Sequence, residues 1–189
     1  MNKTLEEKYA LIQQEIRQST LKNPIDLVKS IMHRGYINIH GPEHHFLDGA
    51  AFLVAYKNAG GEIDLDAALV ELAKRTIKMP GAMCGYWGIC GSVASVGAAL
   101  SVLHGTGPLS DDIFYKEHME FTSSVIAAMS KIGGPRCCKR NAFLSLITAS
   151  KFVEEKYGIV MQMGQVTCDF TEFNEQCIKS RCPFYRTCS

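Results

Sequence analysis

The C-terminal tail carries the sequence feature that most restricts how this chain can fold. Four of the eight cysteines, Cys168, Cys177, Cys182 and Cys188, are spaced C-x8-C-x4-C-x5-C. Residues 158–189 show no helical periodicity and offer few side chains for a core, so this segment is not expected to order by itself. Ligation free energy acts as folding free energy, and four thiolates around one metal centre would therefore fix the tail.

Two kinds of metal centre accept four cysteines, namely zinc and an iron–sulfur cluster. Structural zinc sites usually contain close C-x2-4-C pairs, which the spacing of this tail does not provide. Cys182 is followed by Pro183, and a Cys-Pro step also closes the ligand run of bacterial ferredoxins. The tail favours an iron–sulfur cluster of the 4Fe-4S type, with zinc as the alternative.

The rest of the chain has the periodicity of helices. Apolar residues recur every three or four positions in several segments, separated by turns rich in glycine and proline. The segment 91–103 contains almost only small residues, which lets neighbouring helices approach closely and predicts a central position. The sequence predicts one all-α domain over residues 1–189, with about seven helices in a core of residues 1–157. The Cys-rich metal-binding tail would occupy 158–189.

The other cysteines form a second constellation. Cys84 and Cys90 lie in a glycine-rich loop, and Cys137 and Cys138 begin a helix beside Arg136. A helix N-terminus and neighbouring basic side chains lower the pKa of a thiol. We therefore expect thiolates that either ligate a second metal or act on a substrate, with Arg136 binding an anionic group. The alternative is that two of the four are buried, inert cysteines.

The stretch HGPEHHFLD places His44 and His45 in the first turn of a helix. A helix N-terminus disfavours imidazolium, so both side chains are expected to be neutral and able to ligate a metal or take a proton. The spacing is not H-E-x-x-H, which excludes the metalloprotease motif. Successive helical residues diverge by about 100°, so one histidine can face a site while the other packs in the core.

Composition and charge limit the partners. The net charge is +1, and the longest apolar run is shorter than the roughly 20 residues of a membrane span. We therefore expect neither nucleic-acid binding nor a membrane, although a zinc-ribbon-like tail is kept as a nucleic-acid alternative. Eight cysteines behind a charged, amphipathic N-terminus indicate the reducing cytoplasm.

Several stretches together resemble a known family. HGPEHH, CGYWGICGSVASVGAALSVLHGTGPLS, GGPRCCKR and the closing CPFY are similar to an uncharacterised domain-of-unknown-function family. Its members are small Cys-rich domains of strictly anaerobic bacteria and methanogens. The resemblance covers residues 39–185 and implies an anaerobic, metal-linked role. It also implies a domain that occurs attached to methyltransferase-like or radical S-adenosylmethionine chains.

Two functions follow as expectations. The first is a cytoplasmic iron–sulfur protein with redox or thiolate chemistry at the second site, as an oxidoreductase or a sulfur or methyl transferase. There His44 or His45 would transfer protons, Cys137 and Cys138 would react, and the substrate would be a small or sulfur-containing molecule. The second is a zinc-stabilised accessory module that binds a methyltransferase or radical S-adenosylmethionine partner enzyme and has no catalysis of its own.

Overall fold

The structure is a computed structural model that describes residues 3–186. Within this range there are eight α-helices and no strands. The helices are α1 (Leu5–Ile16), α2 (Pro24–Met32), α3 (His44–Asn58), α4 (Leu65–Thr76), α5 (Met83–Tyr86), α6 (Gly91–Leu103), α7 (Ile113–Ile132) and α8 (Cys138–Tyr157). The predicted all-α domain is confirmed, and α5 is the short helix that the sequence did not predict.

Local capping explains where several helices begin. The Asn23 side chain accepts hydrogen bonds from the backbone N–H groups of Ile25 and Asp26, and Pro24 takes the first helical position. The Asp64 side chain caps α4 in the same way. Cys90 and Cys137 occupy the N-cap positions of α6 and α8. Both thiols thus lie at helix starts, as the sequence predicted for Cys137.

Helix α3 is the centre of the molecule. It packs against α1, α2, α4, α6 and α8, and every residue from His44 to Tyr56 is buried. Helix α6 lies directly against it, because Gly49 and the small residues of α6 permit close contact. A Cβ atom on Gly49 would lie 2.7 Å from the Ser95 carbonyl oxygen. The central position predicted for the small-residue helix is therefore correct, and α6 shares it with α3.

The tail from Gly158 to Arg186 has defined contacts with the helices. Phe170 and Phe184 are buried in the core, and the Phe143 and Phe184 rings meet edge to face at 5.5 Å. The Cys168 backbone N–H donates to the Phe184 carbonyl at 2.7 Å, which closes the tail into a loop. Lys29 of α2 pairs with Asp169. These contacts hold the segment that was expected to require a metal, and metal organisation of the tail stays a prediction.

None of the helices within residues 3–186 combines the length and apolarity needed to cross a membrane.

Candidate functional site

A cavity of about 240 Å³ lies between the start of α3, the start of α8 and the loop that contains α5. It brings together seven of the residues that the sequence singled out. They are His44, His45, Cys84, Cys90, Arg136, Cys137 and Cys138. We call this cavity the α3 pocket. Its location at the ends of central helices explains how residues almost a hundred positions apart in the chain meet.

The α3 pocket contains polar atoms that have no partner within the described part of the chain. They are Oδ1 and Oδ2 of Asp48, Nδ1 of His44 and Nδ1 of His45. Asp48 is fully buried, one turn after His44 on the same helix, with Oδ1 3.8 Å from His44 Nδ1. Burying a carboxylate without hydrogen bonds is costly. Sequence reasoning did not assign Asp48 a role, and its i,i+4 spacing from His44 was the available signal.

The buried Lys139 side chain contacts the Nε2 side of the His44 ring. Lys139 is only 1% exposed, and its ammonium donates to the carbonyl oxygens of Asn38 at 2.8 Å and Ile39 at 2.9 Å. Lys139 Nζ also lies 3.0 Å from His44 Nε2, which is itself 3.2 Å from the Asn38 carbonyl oxygen. The tautomer of the His44 ring decides whether Nε2 accepts from Lys139 or donates to this carbonyl. Burial lowers the pKa of Lys139 to about 8.

The expectation of low-pKa thiols is wrong for two cysteines of the α3 pocket. Burial raises the pKa of Cys138 to about 12 and also raises the pKa of Cys90. The basic neighbours do not offset this, because Lys139 is engaged by carbonyls and the Arg140 guanidinium donates to the Gly133 and Pro135 carbonyls. Desolvation outweighs the helix N-terminus at these positions.

The histidines and Arg136 differ in exposure. Burial lowers the pKa of His45, so its imidazole is neutral as expected, although the main cause is desolvation. Arg136 is exposed and lies where the α3 pocket joins a wider groove of about 740 Å³. Cys84, Cys90 and Asn141 also line both spaces. The groove therefore provides a path from solvent to the buried histidines.

The tail cysteines line a second, smaller cavity. Cys168, Cys177 and Cys182 surround it together with Cys137 from the start of α8. We call this the tail cavity. Cys188, the fourth ligand predicted from the tail spacing, lies outside the described residues. The sequence grouped Cys137 only with Cys84, Cys90 and Cys138, whereas the fold also brings it to the tail.

N–H groups lie near each sulfur of the tail cavity. The Lys179 backbone N–H donates to the Cys177 sulfur at 3.4 Å, and the Phe170 and Phe184 backbone N–H groups act to lower the pKa of Cys168 and Cys182. The Cys137 sulfur accepts from the Arg140 backbone N–H at 3.4 Å and from Asn174 Nδ2 at 3.5 Å. Burial nevertheless raises the pKa of Cys168 to about 11. The donors suit thiolate sulfurs that ligate a metal, and binding would release the thiol protons.

A hydrogen-bond chain joins the two cavities. The Cys138 backbone N–H donates to His40 Nδ1 at 3.4 Å, which leaves the proton of neutral His40 on Nε2. Nε2 then donates to Asn174 Oδ1 at 3.0 Å, and Asn174 donates to the Cys137 sulfur. His40 and Asn174 are site residues that the sequence did not reveal, because only the fold brings the tail against the start of α3.

The cysteine side chains are of a type that ligates metals, but their positions do not bring enough of them to a single ion. The seven cysteines from Cys84 to Cys182 are free thiols. Among residues 3–186, no three His, Cys, Asp or Glu side chains are grouped closely enough to hold a single metal ion.

Comparison with known proteins identifies a family. No curated protein and no solved structure matches the chain. A family of unknown function, DUF5714, matches residues 12–185, which is most of the sequence and includes both cavities. The resemblance to an uncharacterised domain family is thereby confirmed. The chain belongs to the family of unknown function DUF5714.

Proposed function

We propose that this protein binds an iron–sulfur cluster through Cys137, Cys168, Cys177 and Cys182. The observation that carries the proposal is that these four thiols, from the start of α8 and three points of the tail, line one small cavity. Four cysteine thiolates are the usual ligands of both [2Fe–2S] and [4Fe–4S] clusters. Relative to the sequence-based ligand set, Cys137 replaces Cys188.

The hydrogen bonds to sulfur support a cluster in the tail cavity. Backbone N–H donors stabilise thiolate sulfur, and they are one of the means by which proteins set cluster potential. Three of the five N–H groups at these sulfurs come from the residue two positions after the cysteine. Such local donors are in place in the metal-free chain, whereas the sulfurs would have to move to enclose a cluster, because the tail cavity measures only about 20 Å³.

The proposed activity is redox chemistry on a small molecule in the α3 pocket. A bound cluster would supply electrons one at a time from the Cys137 side. The protein would position the molecule with Asp48 and His45, and His44 would hold or move a proton. Support for this arrangement comes from Cys137, which lines both cavities, and from the unpartnered atoms of the pocket. Sulfur or methyl transfer at Cys138 is less well supported, because burial raises the pKa of that thiol.

Metal and acid-labile sulfide analysis of protein purified without oxygen tests the proposal. We expect about four iron and four sulfide per chain, with broad absorption at roughly 400 nm. About one zinc without sulfide would instead support the zinc-stabilised accessory module, which binds a partner enzyme such as a methyltransferase. Protein that binds neither metal under these conditions would refute both.

A further inference from the structure

The α3 pocket has the electrostatic character of a binding site for a positive group. Asp48 is fully buried, and neither carboxylate oxygen has a partner within residues 3–186. The second buried carboxylate nearby, Glu43, differs in this respect. It accepts from Lys8 at 3.0 Å and from the Asn38 backbone N–H at 2.7 Å. Within the described residues, Asp48 is thus the buried carboxylate at this end of α3 that accepts no hydrogen bond. His44 Nδ1 lies 3.8 Å from its Oδ1.

The buried cation nearest to the α3 pocket is already engaged. Lys139 Nζ donates to two backbone carbonyls and lies 3.0 Å from His44 Nε2. No hydrogen bond joins this ammonium to Asp48. A ligand that brings its own donors would satisfy the Asp48 oxygens, and Nδ1 of His45, which lines the same pocket, is a further polar atom without a hydrogen-bond partner. A primary ammonium, with three N–H donors, matches this set of acceptors.

The volume of the pocket and the charge at its opening restrict the class of ligand further. A water molecule occupies about 30 Å³ in the liquid, so a cavity of about 240 Å³ accommodates far more than a single ion. Arg136 is exposed and lines both the pocket and the adjoining groove. The pocket consequently has a negative group in its interior and a positive group at its opening.

We infer that the α3 pocket binds a small zwitterion of amino-acid size, with its ammonium on Asp48 and its anionic group toward Arg136. This deepens the proposed function by naming the class of substrate. It rests on that function only in treating the pocket as a substrate site, because the interactions with Asp48 and Arg136 do not require a cluster.

Ligand-observed NMR and calorimetry on the full chain, purified without oxygen, test the inference. The probes are the standard amino acids. For the amino acid that binds most tightly, two analogues follow: the amine that lacks its carboxylate and the acid that lacks its amino group. We expect the amine to retain weak binding and the acid to lose it, since burial makes Asp48 the stronger anchor.

Two variants test the contact with the ammonium and the contact with the anionic group independently. Asp48→Asn keeps the side-chain shape and should weaken binding of the amino acid and of the amine by at least about tenfold. Arg136→Gln should weaken the amino acid by several-fold and leave the amine unchanged. Asp66→Asn, which alters an exposed carboxylate on α4, should change neither. Thermal unfolding shows whether each variant is folded. If Asp48→Asn does not fold, Arg136→Gln still tests the inference.

Three results would overturn the inference. One is that no amino acid or amine binds the wild-type chain, and another is that folded Asp48→Asn binds them as tightly as wild type. The third is that Zn²⁺, Fe²⁺ or Mn²⁺ binds in an Asp48-dependent way and excludes the amine, which would make the pocket a metal site. Iron and sulfide measured on the same samples report the cluster separately. Absence of the cluster and absence of amino-acid binding are therefore distinguishable.

Discussion

Cys137 and Cys138 are neighbours in the chain, yet only Cys137 lines both the α3 pocket and the tail cavity, whereas Cys138 lines the pocket alone. The adjacent pair thus stands at the boundary between the two spaces. Asn174 of the tail reinforces this boundary, because it donates to the Cys137 sulfur and accepts from His40. The vicinal cysteines are best understood as a junction between the two spaces.

Asp48→Asn should stabilise the ligand-free protein. Replacing a buried carboxylate that lacks donors removes a desolvation cost, and we expect a gain of about 1–2 kcal/mol in the free energy of unfolding. This corresponds to a rise of several degrees in melting temperature. Thermal and urea unfolding measure it.

Glu43→Gln is the matched control for Asp48→Asn. Glu43 is equally buried but paired with Lys8 and the Asn38 N–H, so its replacement should cost about 1–3 kcal/mol. Equal destabilisation by the two substitutions would contradict our description of Asp48 as unpartnered.

Gly91→Ala should disturb His45. A Cβ atom on Gly91 would collide with the His45 imidazole ring, so the ring would have to shift. We expect a loss of about 1–3 kcal/mol in stability and a changed His45 resonance in NMR spectra. Gly85→Ala, where a Cβ would meet no atom within 4 Å, should be close to neutral. A neutral Gly91→Ala would show that the His45 ring is not held against α6.

Stability should fall in acid because of a buried histidine pair. His104 Nδ1 and His118 Nε2 share a hydrogen bond of 3.1 Å, and burial lowers the pKa of His118 from 6.5 to about 4. Between these two values the unfolded chain binds the proton more readily than the folded one. The free energy of unfolding therefore keeps the whole contribution of uncharged His118 above about pH 6.5. It declines by up to about 3 kcal/mol as the pH falls to about 4.

The pH dependence is isolated by comparing variants. Glu117 and Asp112 also act on His118, and their charges favour its protonation. The informative quantity is therefore the difference between the urea-unfolding curves of wild type and His118→Gln. That difference should shrink as the pH falls from 6.5 to 4. Parallel curves for wild type and His118→Gln would contradict the assignment.

The sequence predicted the helices well because their signals are local. Asn23, Pro24 and Asp64 are residue types that favour helix starts, and the structure has helix starts there, since a cap depends on residues two or three positions away. Asp112 caps α7 in the same way. Residues 159–166 form no strand, and contacts with the core hold an irregular chain there.

The site was only partly predictable, because its properties depend on packing. The sequence indicated that His44, His45 and the thiols would matter, and the fold brings them to one pocket. Local reasoning gave the wrong direction for the pKa of Cys90 and Cys138, since burial is not visible in a helix N-terminus. It also could not pair Cys137 with a tail that begins more than twenty residues later.

The iron content of three single-cysteine variants, purified without oxygen, tests the central claim most directly. Our account predicts that Cys137→Ser loses most of its iron and acid-labile sulfide, while Cys138→Ser and Cys188→Ser retain wild-type amounts. All three remove one sulfur, so a general effect of cysteine loss would appear in each. Retention of iron by Cys137→Ser, with its loss in Cys188→Ser, would contradict the account and restore the ligand set confined to the tail.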